Sequence, residues 1–355
     1  MLPYLPEYLH GMSVFSVCGD RVAMMYKKGL GKFWSRGVIN GIFRPLVWKV
    51  GVMSPFAPKK CSRVRIIGAA SGVGAQDAGC EDGPVAFHHS QAWNQIAHNP
   101  LLDWGKTLFA ADGESHSRAA RIADLCHHLA DEVALALAEN AFPLVIGGDH
   151  SIAIGTWSGV ARFVGEPLGL LWIDAHLDSH TPETTYSGAI HGMPLACLLG
   201  RGDKRLLNIG LPGVQISAAH TVVLGPRSYE AEEMAFLKEQ GVRIIEREEI
   251  LRRGFADCAR EAMSIAAGAP AGFGVTLDLD ALDPELAPGV GSPEPDGLGV
   301  AEVRNALRRM SGMPGLHALE IVEYNPDRDR HGVTAELISD LIGEVLPAVA
   351  YRNEK

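Results

Sequence analysis

Asp174, His176 and Asp178 alternate in the run Asp174-Ala175-His176-Leu177-Asp178, directly after the apolar stretch Leu168-Gly169-Leu170-Leu171-Trp172-Ile173. That stretch reads as a buried strand. In an extended continuation, side chains two apart share a face, so the three polar groups are expected to converge. The device recurs in Gly274-Val275-Thr276-Leu277-Asp278-Leu279-Asp280, an apolar strand finishing in carboxylates two residues apart. A third apolar run, Phe142-Pro143-Leu144-Val145-Ile146, leads into Gly147-Gly148-Asp149-His150-Ser151, where two glycines permit a sharp turn that delivers His150. Taken singly, a strand-end Asp is more often a helix N-cap and a lone His a packed core residue. Six such groups, His150, Asp174, His176, Asp178, Asp278 and Asp280, at the ends of three apolar strands reverse that reading.

Four crowded carboxylates cannot all stay ionised without cations. Two divalent ions and a bridging hydroxide balance most of the charge. Oxygen and imidazole donors without a thiolate favour Mn2+ over zinc, with Ni2+ or Co2+ as alternatives. Such a pair lowers the pKa of a bridging water and presents hydroxide to an electrophilic carbon. The expected chemistry is metal-assisted hydrolysis.

The elements that must carry these groups alternate along the chain. Strands are expected over 64–68, 142–146, 168–173, 220–225, 242–245, 274–280 and 316–322. Ile122, Leu125, Leu129, Val133 and Leu137 fall three or four apart and mark an amphipathic helix. A helix over 232–240 stops at Gly241, and a closing helix starts near Thr334. Alternating strands and helices mean a parallel sheet covered on both faces, with its ligand site off the carboxyl ends of the strands. The loop through Gly72-Val73-Gly74-Ala75 has neither a GxGxxG pattern nor a P-loop lysine, and reads as the edge of an active site.

Composition is that of a globular protein with a sizeable core, 47% hydrophobic and 21% charged over 355 residues. A net charge of −10 excludes electrostatic binding of nucleic acid by the chain as a whole. No apolar run reaches the ~18 residues that cross a bilayer. The six cysteines form no CxxC pair, which fits a reducing cytosol. The first 65 residues differ in kind: eleven Lys or Arg against two acids give +9, leaving −19 for the remainder. The basic segment 1–60 is read as a disordered extension, a targeting or membrane-surface arm, or an over-called start, and the fold argument rests on 61–355.

The three motifs, Gly147-Gly148-Asp149-His150-Ser151, Asp174-Ala175-His176-Leu177-Asp178 and Asp278-Leu279-Asp280-Ala281-Leu282-Asp283-Pro284, resemble the signatures of the ureohydrolase (arginase/agmatinase) family, in its order and roughly its spacing. The resemblance covers about 63–349. It implies a three-layer αβα arginase-like fold with a mostly parallel sheet of about eight strands, and a binuclear manganese site. By resemblance, His150 and Asp178 bind one metal, His176 and Asp280 the other, and Asp174 and Asp278 bridge. Asp178 also accepts a hydrogen bond from the bridging hydroxide. Ser187-Gly188-Ala189-Ile190-His191-Gly192 is similar to the arginase form of the next segment, which makes His191 the proton shuttle. Its unperturbed pKa of ~6.5 suits that task. Glu323 matches the carboxylate that grips the guanidinium.

The outer shell departs from the arginase pattern. His180 stands where an Asn usually meets the substrate α-carboxylate; Ser187 is kept, and Ala189 replaces a second polar residue. Glu230 takes the place of the acid that reads the α-amino group. The resemblance implies an arginase (L-arginine plus water to L-ornithine and urea), acting as a homotrimer or homohexamer. The alternatives are an agmatinase, guanidinobutyrase, formiminoglutamase or other guanidino-compound hydrolase. A non-catalytic subunit partnering an active homologue belongs to a different class; such subunits lose ligands, and all six are present here.

Overall fold

Strands of three to nine residues build the framework of the second of two compact units, Met1–Pro55 and Phe56–Lys355. The computed structural model describes residues 12–18, 21–26, 63–111 and 116–353, with side chains over 63–111 and 116–346. In the first unit the described residues form an antiparallel pair, β1 (Met12–Cys18) and β2 (Arg21–Tyr26), whose register shifts between Val14 and Ser16. The rest of the basic segment 1–60 lies outside the described residues.

The second unit contains β3 (Arg63–Ala70), β4 (Leu102–Phe109), β5 (Ala141–Gly147), β6 (Leu168–Ile173), β7 (Ile216–Leu224), β8 (Arg243–Ile245), β9 (Phe273–Asp278) and β10 (Leu316–Val322). They form one eight-stranded sheet in the order β4-β3-β5-β10-β9-β6-β7-β8, every pair parallel. Parallel sheets bury both faces, and alternate residues divide between two core layers accordingly. Leu171, Ile173, Leu277 and Ile321 point into one layer. It is completed by α1 (Gly83–His89), α2 (Gln91–Ile96), α7 (Arg247–Arg253), α8 (Phe255–Ala266), α9 (Val300–Ser311) and α10 (Val333–Asn353). Leu170, Trp172, Val145 and Val322 point into the other. That layer holds α3 (Arg118–Ala138), α4 (Ala153–Val164), α5 (Pro194–Leu198) and α6 (Ala231–Gln240). The expected three-layer fold is thus the observed one.

Ile146, Ile321, Leu277, Ile173 and Leu224 lie abreast in a single row across β5, β10, β9, β6 and β7. The chain crosses from β5 to β6 and leaves the places between them for β9 and β10, so the strand order reverses there. Open parallel sheets bind ligands in the crevice beyond such a point. Every ligand candidate sits within a few residues past this row.

The sequence pattern shows seven of the eight strands. The missing one, β4, is an edge strand of mixed, partly exposed residues (Leu-Asp-Trp-Gly-Lys-Thr-Leu-Phe), with neither alternation nor a continuous apolar run. β7 starts four residues earlier than expected, because residues 217–220 (Ser-Ala-Ala-His) are small or polar and half-exposed, with no apolar run to mark a strand.

Candidate metal centre

The three ligand motifs share one local device, and it is not the extended alternation expected from the sequence. β6 ends at Ile173 and residues 174–178 are irregular; β9 ends at Asp278 and Asp280 lies in a 3-10 turn, Leu279–Ala281. His150 opens another such turn, His150–Ile152. In each motif the first Asp folds back so that its Oδ1 accepts the backbone N–H two residues on. The three bonds are Ser151 N to Asp149 at 3.0 Å, His176 N to Asp174 at 2.7 Å, and Asp280 N to Asp278 at 2.9 Å. In the second and third motifs the spacing Asp-x-ligand therefore encodes an Asx turn that stops the strand and swings the next ligand over its end, whereas in the first the ligand His150 is the residue inside the turn. Asp178 completes its loop in the left-handed region (φ +48°), as does Glu323 (φ +65°). Non-glycine residues held there cost on the order of 1 kcal/mol or more and concentrate at functional sites.

Asp149, which opens its turn without being a ligand candidate, is fully buried and holds the neighbouring loop. It also accepts bonds from Ser71 Oγ at 2.9 Å and from the Gly74 N–H at 3.0 Å. A Cβ on Gly74 would run into the Asp149 carboxylate, so only glycine fits this approach. The Gly74 carbonyl accepts the N–H groups of Ile190 (2.8 Å) and His191 (3.2 Å). The glycine-rich loop is thus the edge of the site, as expected, and carries His191 into place.

The six ligand candidates come together as two groups sharing Asp174. His150 Nδ1 lies 3.2 Å from Asp174 Oδ2, 3.0 Å from Asp178 Oδ2 and 3.0 Å from Asp278 Oδ2. Yet this buried nitrogen makes no hydrogen bond. Three carboxylate oxygens thus crowd one imidazole nitrogen, an arrangement able to hold a metal ion. His176 Nδ1 lies 3.1 Å from Asp280 Oδ2 and 3.5 Å from Asp174 Oδ1. Each group offers hard oxygens and one imidazole, a donor set that suits a divalent first-row metal.

Electrostatics point the same way. Burial and the Asp174 charge push Asp178 up to about 6, and burial together with Asp280 and Asp174 raises Asp278 well above the carboxylate range. Asp280 is raised by burial too. Burial opposes protonation of His150 and His176, but the surrounding carboxylates outweigh it and raise both. Protons and cations thus compete for the same two nitrogens.

Beside the ligands lies a cavity of about 250 Å³ lined by His176, Asp178, Asp278, Asp280, His191 and Glu323, with His180, Ser187, Glu230 and Glu233 farther along its wall. Glu323 is 2% exposed. Its Oε1 accepts the His150 N–H at 2.9 Å and pairs with His191 Nδ1 at 3.0 Å, and its Oε2 accepts the Cys80 thiol at 3.1 Å. Burial works against the charged His191 ring, but the Glu323 carboxylate overrides it and pushes His191 up to about 9. On the outer wall, His180 and Glu230 face one another, Nε2 to Oε2 at 2.9 Å, while His180 Nδ1 pairs with Thr184 Oγ1 at 3.1 Å. Beneath them Glu233 accepts the N–H groups of Ser179 and Glu230, and burial pushes it up to about 8. Ser187 is exposed at the rim, its hydroxyl accepting the Ala189 N–H at 3.1 Å.

The model of the arginase family matches residues 62–347. The chain belongs to the arginase family. The arginase of Bacillus caldovelox is 36% identical over 291 residues, spanning 79% of this chain and 97% of that protein. The arginase of Bacillus subtilis (strain 168) is 40% identical over 222 residues, 61% of this chain and 74% of that one. Among solved structures, Bacillus caldovelox arginase superposes with a TM-score of 0.75 at 34% identity, covering 80% of this chain and 98% of that one. Entamoeba histolytica arginase in complex with L-ornithine superposes with a TM-score of 0.74 at 27% identity, covering 81% and 99%. As a member of the arginase family the protein is an enzyme, a metal-dependent ureohydrolase.

Several side chains of this arginase-family site escaped the motif reading. Trp172 stacks on the His150 ring (4.2 Å between centroids) and donates its indole N–H to Asp174 Oδ2 at 2.7 Å. Thr276 Oγ1 meets His150 Nε2 at 3.0 Å and donates to Glu320 Oε1 at 2.8 Å. Glu320 is fully buried, and a charged residue inside the strand Leu316–Val322 was the signal that could have found it. Arg227 binds the backbone carbonyls of Asp280 (2.8 Å) and Pro295 (2.7 Å), clamping the loop after β9 to the one after β7. Nothing in its local sequence announces that role.

Proposed function

We propose that the protein hydrolyses L-arginine to L-ornithine and urea with two divalent metal ions. The carrying observation is that Asp174 belongs to two ligand groups whose cavity also holds Glu323 paired with His191. His150 and Asp178 would hold one ion and His176 and Asp280 the other, with Asp174 and Asp278 bridging. Manganese is the proposed metal, with nickel or cobalt as substitutes. When bound, the pair supplies an activated water and Lewis-acid stabilisation at the guanidinium carbon.

This chain's own residues do the rest. Glu323 grips the guanidinium: a buried carboxylate suits a planar cation with several N–H donors, and the thiol on its Oε2 is a weak donor that leaves acceptor capacity there. Asp178 accepts a hydrogen bond from the nucleophilic water and so orients it. His191, held protonated by Glu323, donates its proton to the departing nitrogen, which leaves as the amine of ornithine. His180, Ser187 and Glu230 form the wall that meets the α-carboxylate and α-amino groups.

The basic segment 1–60 is read as an appendage to the catalytic domain 61–355. Assembly as a homotrimer or homohexamer and a cytoplasmic location complete the reading. Buried free thiols at Cys80, Cys126, Cys197 and Cys258 support a reducing compartment, and among the described residues no helix is long and apolar enough to cross a membrane.

A second reading keeps the chemistry and changes the substrate to agmatine, guanidinobutyrate or another guanidino compound. It is favoured by the His180–Glu230 pair, in which the two expected readers of the amino-acid end bind one another. Purified protein loaded separately with Mn2+, Ni2+ or Co2+ should release urea from L-arginine faster than from agmatine or guanidinobutyrate. Faster release from either competitor would transfer the substrate assignment to it.

A further inference from the structure

The far sides of the two imidazoles are held by different means. His150, 1% exposed, has its Nε2 against the buried Thr276–Glu320 pair. The His176 side chain is 25% exposed, and its Nε2 faces the Glu294 carboxylate, Oε1 at 3.7 Å. We propose that Glu294 is a positioning residue of this centre: it takes the Nε2–H of His176, fixes the tautomer that leaves Nδ1 to a divalent cation, and strengthens that nitrogen's hold on it. The inference rests on the reading of His176 as a metal ligand.

The two ring nitrogens of a neutral imidazole are linked, since one can hold a metal only while the other carries the hydrogen. A carboxylate receiving that hydrogen orients the ring and makes the ligating nitrogen more basic. Glu294 is placed for this by more than loop position. Arg227 Nη2 donates to the carbonyls of both Glu294 and Asp280, each at 2.8 Å, and its Nε donates to Pro295 O. One guanidinium thus fixes the backbone of Glu294 relative to that of Asp280, the carboxylate on the other side of the same ring. A separation of 3.7 Å is an ion-pair distance and not yet a hydrogen bond. The Glu294 side chain is 31% exposed, and a small shift toward the ring, away from its other partner Ser228, would close the gap.

The test is a titration of the metal-free full-length chain with MnCl2, following free Mn2+ by electron paramagnetic resonance. The wild type should take up two ions. Glu294→Gln should weaken one of the two sites about tenfold to a hundredfold and leave the other unchanged, while Glu294→Asp should recover part of the loss. In a His176→Ala background, adding Glu294→Gln should change nothing further, because the effect passes through that ring. Wild-type affinities at both sites in Glu294→Gln would overturn the inference, as would an undiminished loss in the His176→Ala background. Uptake of fewer than two ions by the wild type would instead overturn the binuclear reading on which the inference stands.

Discussion

Asp174→Ala should cost the protein both metal ions and at least about a thousandfold in urea release, a loss on the scale of removing a whole catalytic device. Asp174 belongs to both ligand groups: its Oδ2 is 3.2 Å from His150 Nδ1 and its Oδ1 is 3.5 Å from His176 Nδ1. Asp278, the other proposed bridge, stands only in the His150 group, so removing Asp174 is the change that thins both groups at once. The carboxylate also accepts the Trp172 indole N–H and the His176 backbone N–H, so alanine leaves two donors unpaired, at ~1–3 kcal/mol for each that is buried. Asp174→Asn keeps the volume and an acceptor and separates the two effects: it should retain the melting temperature better than alanine while still binding metal poorly. Elemental analysis and the urea assay read both variants. Two ions per chain together with activity within tenfold of wild type would remove Asp174 from the centre.

His191→Asn should leave two metal ions in place and lower kcat by about a hundredfold to ten-thousandfold, the usual worth of a positioned proton donor. The ring lies beside the ligands without joining either group; its Nδ1 is committed to Glu323 Oε1 and its backbone to Gly74 O. An amide of similar reach can still pair with Glu323 but cannot supply a proton near neutral pH. Metal content and kcat should therefore separate in this variant, in contrast to Asp174→Ala. A loss below tenfold, or loss of metal, would assign His191 to holding the loop and not to the chemistry.

Much of this site is legible in the sequence because its ligands come from only three strand ends, each marked by an apolar run that stops at a polar residue. The geometric reason was less legible. Asp-x-His and Asp-x-Asp read as period-two alternation, whereas the chain uses them as Asx turns: a short carboxylate competes with the sheet for the next free backbone N–H and wins once the ladder ends. Both geometries bring the ligands together, so the convergence was foreseen for the wrong reason. The supporting side chains are harder to foresee. Glu230 meets His180 from 50 residues away and Thr276 meets His150 from 126, and neither pairing leaves a trace in local spacing. The edge strand β4 was missed because, half exposed, it need not be apolar.

That two metal ions share Asp174 at the ends of β5, β6 and β9 is tested most directly by anomalous X-ray diffraction at the manganese edge from crystals of the Mn2+-loaded protein. Two peaks are expected, one at Nδ1 of His150 and one at Nδ1 of His176, with Asp174 contributing an oxygen to each. A single peak, or a pair that leaves either imidazole without a metal, would contradict it.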